Sequence, residues 1–216
     1  MSILSTIFDI VFPAKCLSCG ESGSDLCLEC LSDSPEAERE SASWIFPLYD
    51  YRHPPIKKSI KLLKYKGRRG LAKVFAESLY GRILEELSEL RVMENFRDAL
   101  LMPIPLSKKR QRERGFNQAE LICKKLLELD KGENFELRTD ILIKPKDTPH
   151  QADIADRSKR LKNIIGSFAA NKEEIIKNRN IILIDDVTTT GATLTEAKRT
   201  LKKASARKII AFTVAH

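Results

Sequence analysis

Asp185 and Asp186 stand side by side after the apolar run Ile181 to Ile184, and Thr188, Thr189, Thr190, Gly191, Ala192 and Thr193 follow almost at once. Two carboxylates only accept, so whatever they hold must bring donors or a cation: vicinal ribose hydroxyls, or Mg²⁺. The loop asks for the opposite charge. Gly191 permits positive φ or close backbone approach, the threonines add hydroxyl donors, and amides at a helix start converge on an anion such as phosphate. A ligand with a 5-phosphate at one end and free ribose hydroxyls in its middle satisfies both halves. Thr193 and Glu196 have the spacing of a capping box, which puts the helix start at Thr193. Two competing readings are an ordinary buried strand ending in a polar turn and a nucleoside triphosphatase; the GxxxxGK[ST] pattern of the latter is absent.

The cysteines form a second constellation. Four of the five lie as Cys16-x2-Cys19 and Cys27-x2-Cys30. Two such pairs supply the four thiolates of a tetrahedral zinc site, and four protein ligands leave no open position, so the site is expected to be structural. The seven residues between the pairs imply a compact knuckle, with Gly20 and Gly23 easing the turns. A redox pair or unliganded thiols are the alternatives, although a thioredoxin-type site needs only one CxxC in a βαβ setting. Cys123, among Leu121, Ile122, Leu126 and Leu127, reads as core.

Basic residues gather in three places. Residues 51–76 carry nine Lys or Arg and no acid. There Ile56, Ile60 and Leu63 share one helical face while Lys57, Lys58, Lys61 and Lys64 occupy much of the rest, a basic amphipathic helix over 54–66 that ends in the turn Lys66-Gly67-Arg68-Arg69-Gly70. Lys57, Lys61, Lys64, Lys66, Arg68 and Arg69 are candidate contacts for nucleic-acid phosphates; a solvated outer face is the competing reading. Residues 107–114 hold five basic residues against Glu113 and read as a loop at the end of a strand, where Arg110, Arg112 and Arg114 could take a pyrophosphate. Residues 147–163 lack a core pattern and read as a lid, with Arg157 and Arg160 as the candidate catalytic groups.

The elements that must position these groups follow from the apolar pattern. With 216 residues, 42% hydrophobic and 31% charged, the chain accommodates one α/β core and a small appendage. No apolar run approaches the roughly 20 residues of a membrane helix. The opening MSILSTIFDIVFP lacks a basic n-region and a cleavage site and contains Asp9; it is expected to be an amphipathic helix packed on its own domain. The protein is expected in the cytoplasm, with the inner face of the membrane as a further location. Residues 1–41 carry eight acids against Lys15 and Arg39, net −6, so the other 175 carry +14 of the overall +8. That asymmetry divides the chain into 1–41 and 42–216. Strands are expected at 44–51, 99–105, 141–144, 164–170, 181–184 and 208–214, the last closing the sheet, and helices at 71–90 and 117–129. The α/β core is expected to begin at Asp98.

The run DDVTTTGAT resembles the phosphoribosyl pyrophosphate (PRPP) motif of type I phosphoribosyltransferases. More widely, the chain resembles the ComF or ComFC competence proteins. Phe12, Pro13 and the paired cysteines match their N-terminal zinc region, and Leu63 to Gly67 match the basic helix. Pro103, Pro105, Leu106 and the run Arg114 to Gln118 match the RGFNQ block; Thr148, Pro149, Gln151, Arg157, Arg160, Asn163, Gly166 and Phe168 match the lid. The resemblance implies a type I phosphoribosyltransferase-like parallel sheet flanked by helices, with a small four-cysteine zinc module. It also implies that Asp185 and Asp186 hold the ribose hydroxyls, that residues 188–193 wrap the 5′-phosphate, and that Mg²⁺ accompanies PRPP. Single-stranded DNA and a competence helicase are the partners it suggests. Three functions follow: a PRPP-binding factor in uptake or cytoplasmic handling of transforming DNA, an active phosphoribosyltransferase, or a zinc-dependent nucleic-acid module. No base-recognition pocket is legible, and the zinc region stands where other members keep the hood that selects an acceptor.

Overall fold

The computed structural model describes residues 14–38, 42–145 and 164–216. The expected N-terminal helix and the 147–163 lid, with Arg157 and Arg160, lie outside the described residues.

A five-stranded sheet forms the centre. Its strands are β1 (Ile45–Tyr49), β2 (Ala99–Pro103), β3 (Phe135–Leu137), β6 (Ile181–Val187) and β7 (Ile209–Ala215), in the order β1-β7-β6-β2-β3. Every pairing is parallel, and both faces of the sheet are covered, as is usual for parallel sheets. Alternate side chains divide between two cores. Leu101, Ile182, Ile184, Ile210 and Phe212 enter one, with the helices α3 (Leu71–Glu94) and α5 (Gln118–Asp130) packed over them. Leu100, Met102, Ile181, Leu183 and Ile209 enter the other, beneath Leu194, Ala197 and Leu201 of α7 (Ala192–Lys203).

Topology fixes where a ligand can sit. From β2 the chain runs through α5 to β3 on one side, and from β6 through α7 to β7 on the other. Neighbouring strands whose connections diverge leave a crevice at their carboxyl ends. Pro103 is in register with Ile184 there, and Ile104 N–H donates to Ile184 O at 2.8 Å. The crevice therefore opens at Ile104 to Leu106 and at Asp185 and Asp186.

Several expectations need correction. Residues 108–114 are not a loop but the helix α4 (Lys108–Arg114), because Ser107 caps its start and Gly115 at φ 74° ends it. The core begins at β1 rather than at Asp98, since Ile45–Tyr49 pairs with β7 and forms an edge. β7 therefore lies inside the sheet and does not close it. The strand expected over 141–144 is β4 (Leu142–Ile143), which pairs antiparallel with β5 (Ala169–Ala170) outside the main sheet. β3 was not legible, being only three residues long, with Glu136 exposed. The capping box does not form either. Gly191 is the N-cap of α7, and the Glu196 carboxylate accepts from Gly166 N at 2.6 Å and pairs with Arg199.

The basic helix is α2 (Pro54–Tyr65), and α1 (Leu28–Ser32) belongs to the cysteine module. That module is joined to the core: Cys16, Leu26 and Leu31 are buried in the same cluster as α3. The acidic, Ser- and Ala-rich stretch 32–43 reads from sequence as a linker, and its described part is docked as well, with Ala37 N–H donating to Leu48 O and Asp50 N–H to Pro35 O, each at 2.9 Å. One further short helix, α6 (Glu173–Ile176), precedes β6. Among the described residues no helix is long and apolar enough to cross a membrane.

Candidate functional site

The carboxyl end of β6 carries Asp185 and Asp186 into a cleft of about 220 Å³ lined also by Lys64, Arg110, Arg114, Gln118, Lys144 and Thr193. Among the described residues four cations face two carboxylates, a balance that suits a polyanion bearing its own cation or hydroxyl donors. Asp186 is buried, and Asp185 accepts from the Asp186 amide at 2.8 Å. Burial, and then the neighbouring Asp186 charge, raise the Asp185 carboxyl to about 7 against the pull of Lys64. Two carboxylates this close favour a bound cation or a set of hydroxyl donors. The acceptor set is all oxygen, which fits Mg²⁺.

The loop after β6 turns sharply into α7. Gly191 sits at φ 70°, and a Cβ there would meet Ile45 Cδ1 at 3.3 Å, so both backbone conformation and space select glycine. Thr188 N–H is engaged by Ala215 O at 2.9 Å and Ala192 N–H by Thr190 Oγ1 at 3.4 Å. Thr189 and Thr193 line the cleft at the amino end of α7, where a helix favours an anion. Among the described residues, two buried polar atoms in this region, Thr188 Oγ1 and Gln118 Nε2, have no hydrogen-bond partner. Unsatisfied buried donors are expensive, and a polar ligand would satisfy them.

The facing wall comes from α4 and the turn after it. Arg110 and Arg114 line the cleft, whereas Arg112 borders a separate hollow with Lys108, Gln111, Glu120 and Thr139. The expected trio is therefore divided by helix geometry. Asn117 holds this turn in place: its Nδ2 donates to Ile104 O at 3.0 Å and its Oδ1 accepts from Ala119 N–H at 3.0 Å, capping α5. Arg114 donates to Gln118 Oε1 at 3.0 Å and stacks over the Tyr65 ring at 5.0 Å, linking α4 to α2.

The basic helix is also divided. Lys57, Lys61, Lys66, Arg68 and Arg69 are exposed, as a nucleic-acid face would require. Lys64 instead turns inward, with Nζ 2.8 Å from Asp186 Oδ1. Burial pulls its ammonium down, but Asp186 more than offsets this, and the net direction is upward. Sequence reasoning grouped Lys64 with the exposed lysines and missed this role, along with the cleft positions of Tyr51 and Lys144.

The four cysteine sulfurs lie within 4.8 Å of one another. Cys27 Sγ is 3.7 Å from Cys16 Sγ and 3.8 Å from Cys19 Sγ, close to the edge of a tetrahedron drawn with Zn–S bonds of about 2.3 Å. Amides of Cys27 and Cys30 point at Cys16 Sγ and Cys27 Sγ at 3.4 and 3.5 Å. Although burial opposes ionisation of Cys16, amide bonds from Cys27, Cys19 and Ser18 bring it down to about 6. The Ser18 hydroxyl pulls Cys30 down, but the surrounding sulfurs push it up to about 12. Four thiolates cannot coexist here without a cation between them, and the donor set fits zinc. Arg68 reaches Asp25 of this module at 3.8 Å, so the exposed basic turn adjoins the knuckle. Cys123 is buried in the core, as expected.

A sequence profile of the phosphoribosyl transferase domain matches residues 115–216, which include the acidic pair and its loop but neither Lys64 nor the four clustered cysteines. Competence protein F of Haemophilus influenzae is 29% identical over 202 residues, covering 88% of this chain and 81% of the relative. DNA utilization protein YhgH of Escherichia coli K12 is 28% identical over 183 residues, covering 85% and 74%. Competence protein ComFC of Bacillus subtilis is 39% identical over 116 residues, covering 53% of this chain and 43% of that one.

Proposed function

We propose that this chain is a ComF-type protein carrying a phosphoribosyltransferase domain, that its cleft binds PRPP with magnesium, and that it serves the handling of transforming single-stranded DNA in the cytoplasm. The observation that carries the ligand is the convergence of three unlike parts on one crevice. Asp185 and Asp186 receive the ribose hydroxyls, residues 188–193 at the start of α7 receive the 5′-phosphate, and Arg110 and Arg114 face the diphosphate. Asp185 and Asp186 would hold the metal, which supplies charge neutralisation at the diphosphate. Zinc is held by Cys16, Cys19, Cys27 and Cys30 as a structural ion that fixes the knuckle beside α2.

Relatives named for competence and DNA utilization support the biological role. The exposed cations of α2 and its following turn support the DNA face, since phosphate contacts need accessible Lys and Arg. Calorimetric titration of the full chain with PRPP and Mg²⁺ tests the ligand, and a pyrophosphate-release assay over a panel of bases then tests transfer. Binding without release is the expected outcome. Absence of binding would refute the proposal, and release with any acceptor would make the protein an enzyme.

A further inference from the structure

Lys64 occupies the place that the proposed ligand needs. Its Nζ lies 2.8 Å from Asp186 Oδ1, with the two side chains only 18% and 9% exposed. The other lysines of α2, at 57, 58 and 61, face solvent. A mostly buried ammonium and a divalent cation do not share one carboxylate oxygen, because each is positive and water screens them only in part.

The ways out for Lys64 are restricted. The cleft around it is already lined by Arg110, Arg114 and Lys144, and among the described residues its acids are Asp185 and Asp186. A metal arriving alone would drive the ammonium toward other cations and leave it without a partner. An anionic ligand changes that balance, since a diphosphate offers the displaced ammonium new acceptors.

We infer that Lys64 is a positioning residue serving as the resident counter-cation of the acidic pair, one that bars a lone divalent cation and is drawn off Asp186 by a metal-bearing sugar diphosphate. This rests on the reading of the acidic pair as a sugar-phosphate site. The same side chain thus opposes one ligand and assists another, which no purely structural role would do.

The test uses the full chain and two probes. Mn²⁺ alone, followed by electron paramagnetic resonance, is expected to bind Lys64→Gln about tenfold more tightly than the parent, and the gain should vanish when Asp186→Asn is added. PRPP with Mg²⁺, followed by calorimetry, is expected to bind Lys64→Gln about tenfold more weakly. Lys64→Arg, which keeps the charge, should follow the parent in both. Unchanged Mn²⁺ affinity in Lys64→Gln, or loss of both affinities together, overturns the inference. So does micromolar Mn²⁺ binding by the parent that Asp186→Asn abolishes, a measurement that needs no Lys64 variant to fold. If the parent binds no PRPP yet Lys64→Gln still gains Mn²⁺, the proposed ligand falls and the counter-cation role stands.

Discussion

Asp185→Asn is predicted to stabilise the protein at alkaline pH while removing its ligand. The folded carboxyl keeps its proton up to about pH 7, because burial and the Asp186 charge disfavour ionisation, whereas the unfolded one releases it near 4. The stability that this group contributes is complete below about pH 4 and is lost as the pH rises through about 7. A displacement of about three pH units corresponds to roughly 4 kcal/mol above pH 7. Because Asp185 lies at an open cleft where water screens part of the repulsion, about 2 kcal/mol is the better expectation. Asparagine is isosteric, and its oxygen can still accept from the Asp186 amide, so the backbone turn is kept. The Lys64 to Asp186 pair is untouched. Urea denaturation at pH 8 should therefore show the variant about 2 kcal/mol more stable, or about 4–8 °C higher in melting temperature for a chain of this size. At pH 5 the gain should be clearly smaller, since there the folded parent holds more of its proton than the unfolded chain does. A gain that is equal at the two pH values, or none at pH 8, would refute the assignment of a repelled, buried carboxyl.

Other outcomes follow from the same geometry. Gly191→Ala is expected to lose about 1–2 kcal/mol in urea denaturation, because alanine is strained at φ 70° and its Cβ crowds Ile45; PRPP binding should weaken with it. Elemental analysis of purified protein should find about one zinc per chain, and Cys27→Ala, which removes the sulfur 3.7 Å from that of Cys16 and 3.8 Å from that of Cys19, should abolish the metal and lower the melting temperature. Binding of single-stranded DNA should weaken steeply with salt, and Lys57→Glu and Lys61→Glu should each reduce the log–log slope by about 0.7. Lys64→Gln should leave that slope unchanged, since its ammonium is turned to Asp186.

Much of the site was legible because it is local. Asp185, Asp186 and residues 188–193 form one continuous stretch, and the apolar run before them can only be a strand buried on both faces. The cysteine pairs are local in the same sense: the knuckle brings four sulfurs together within fifteen residues, from Cys16 to Cys30. The helix of the basic stretch was legible too, from the period of Ile56, Ile60 and Leu63.

What one-dimensional pattern could not decide was which cation faces which partner. Lys57 and Lys64 are seven residues apart, so they project from nearly the same side of α2, about 20° apart, but lie about 10 Å apart along its axis. Periodicity treats them as equivalent; only the tertiary placement of the helix end brings one within 2.8 Å of Asp186 and leaves the other in solvent. The same holds for Arg112, which a single turn of α4 carries away from Arg110 and Arg114. Residue order was enough for the strand, the Thr/Gly loop that follows it and the cysteine cluster, because each is made by neighbours along the chain. The tertiary structure alone decided that the acidic pair already holds a cation, because that contact joins residues 122 positions apart, and electrostatics in a buried cleft depends on distance in space.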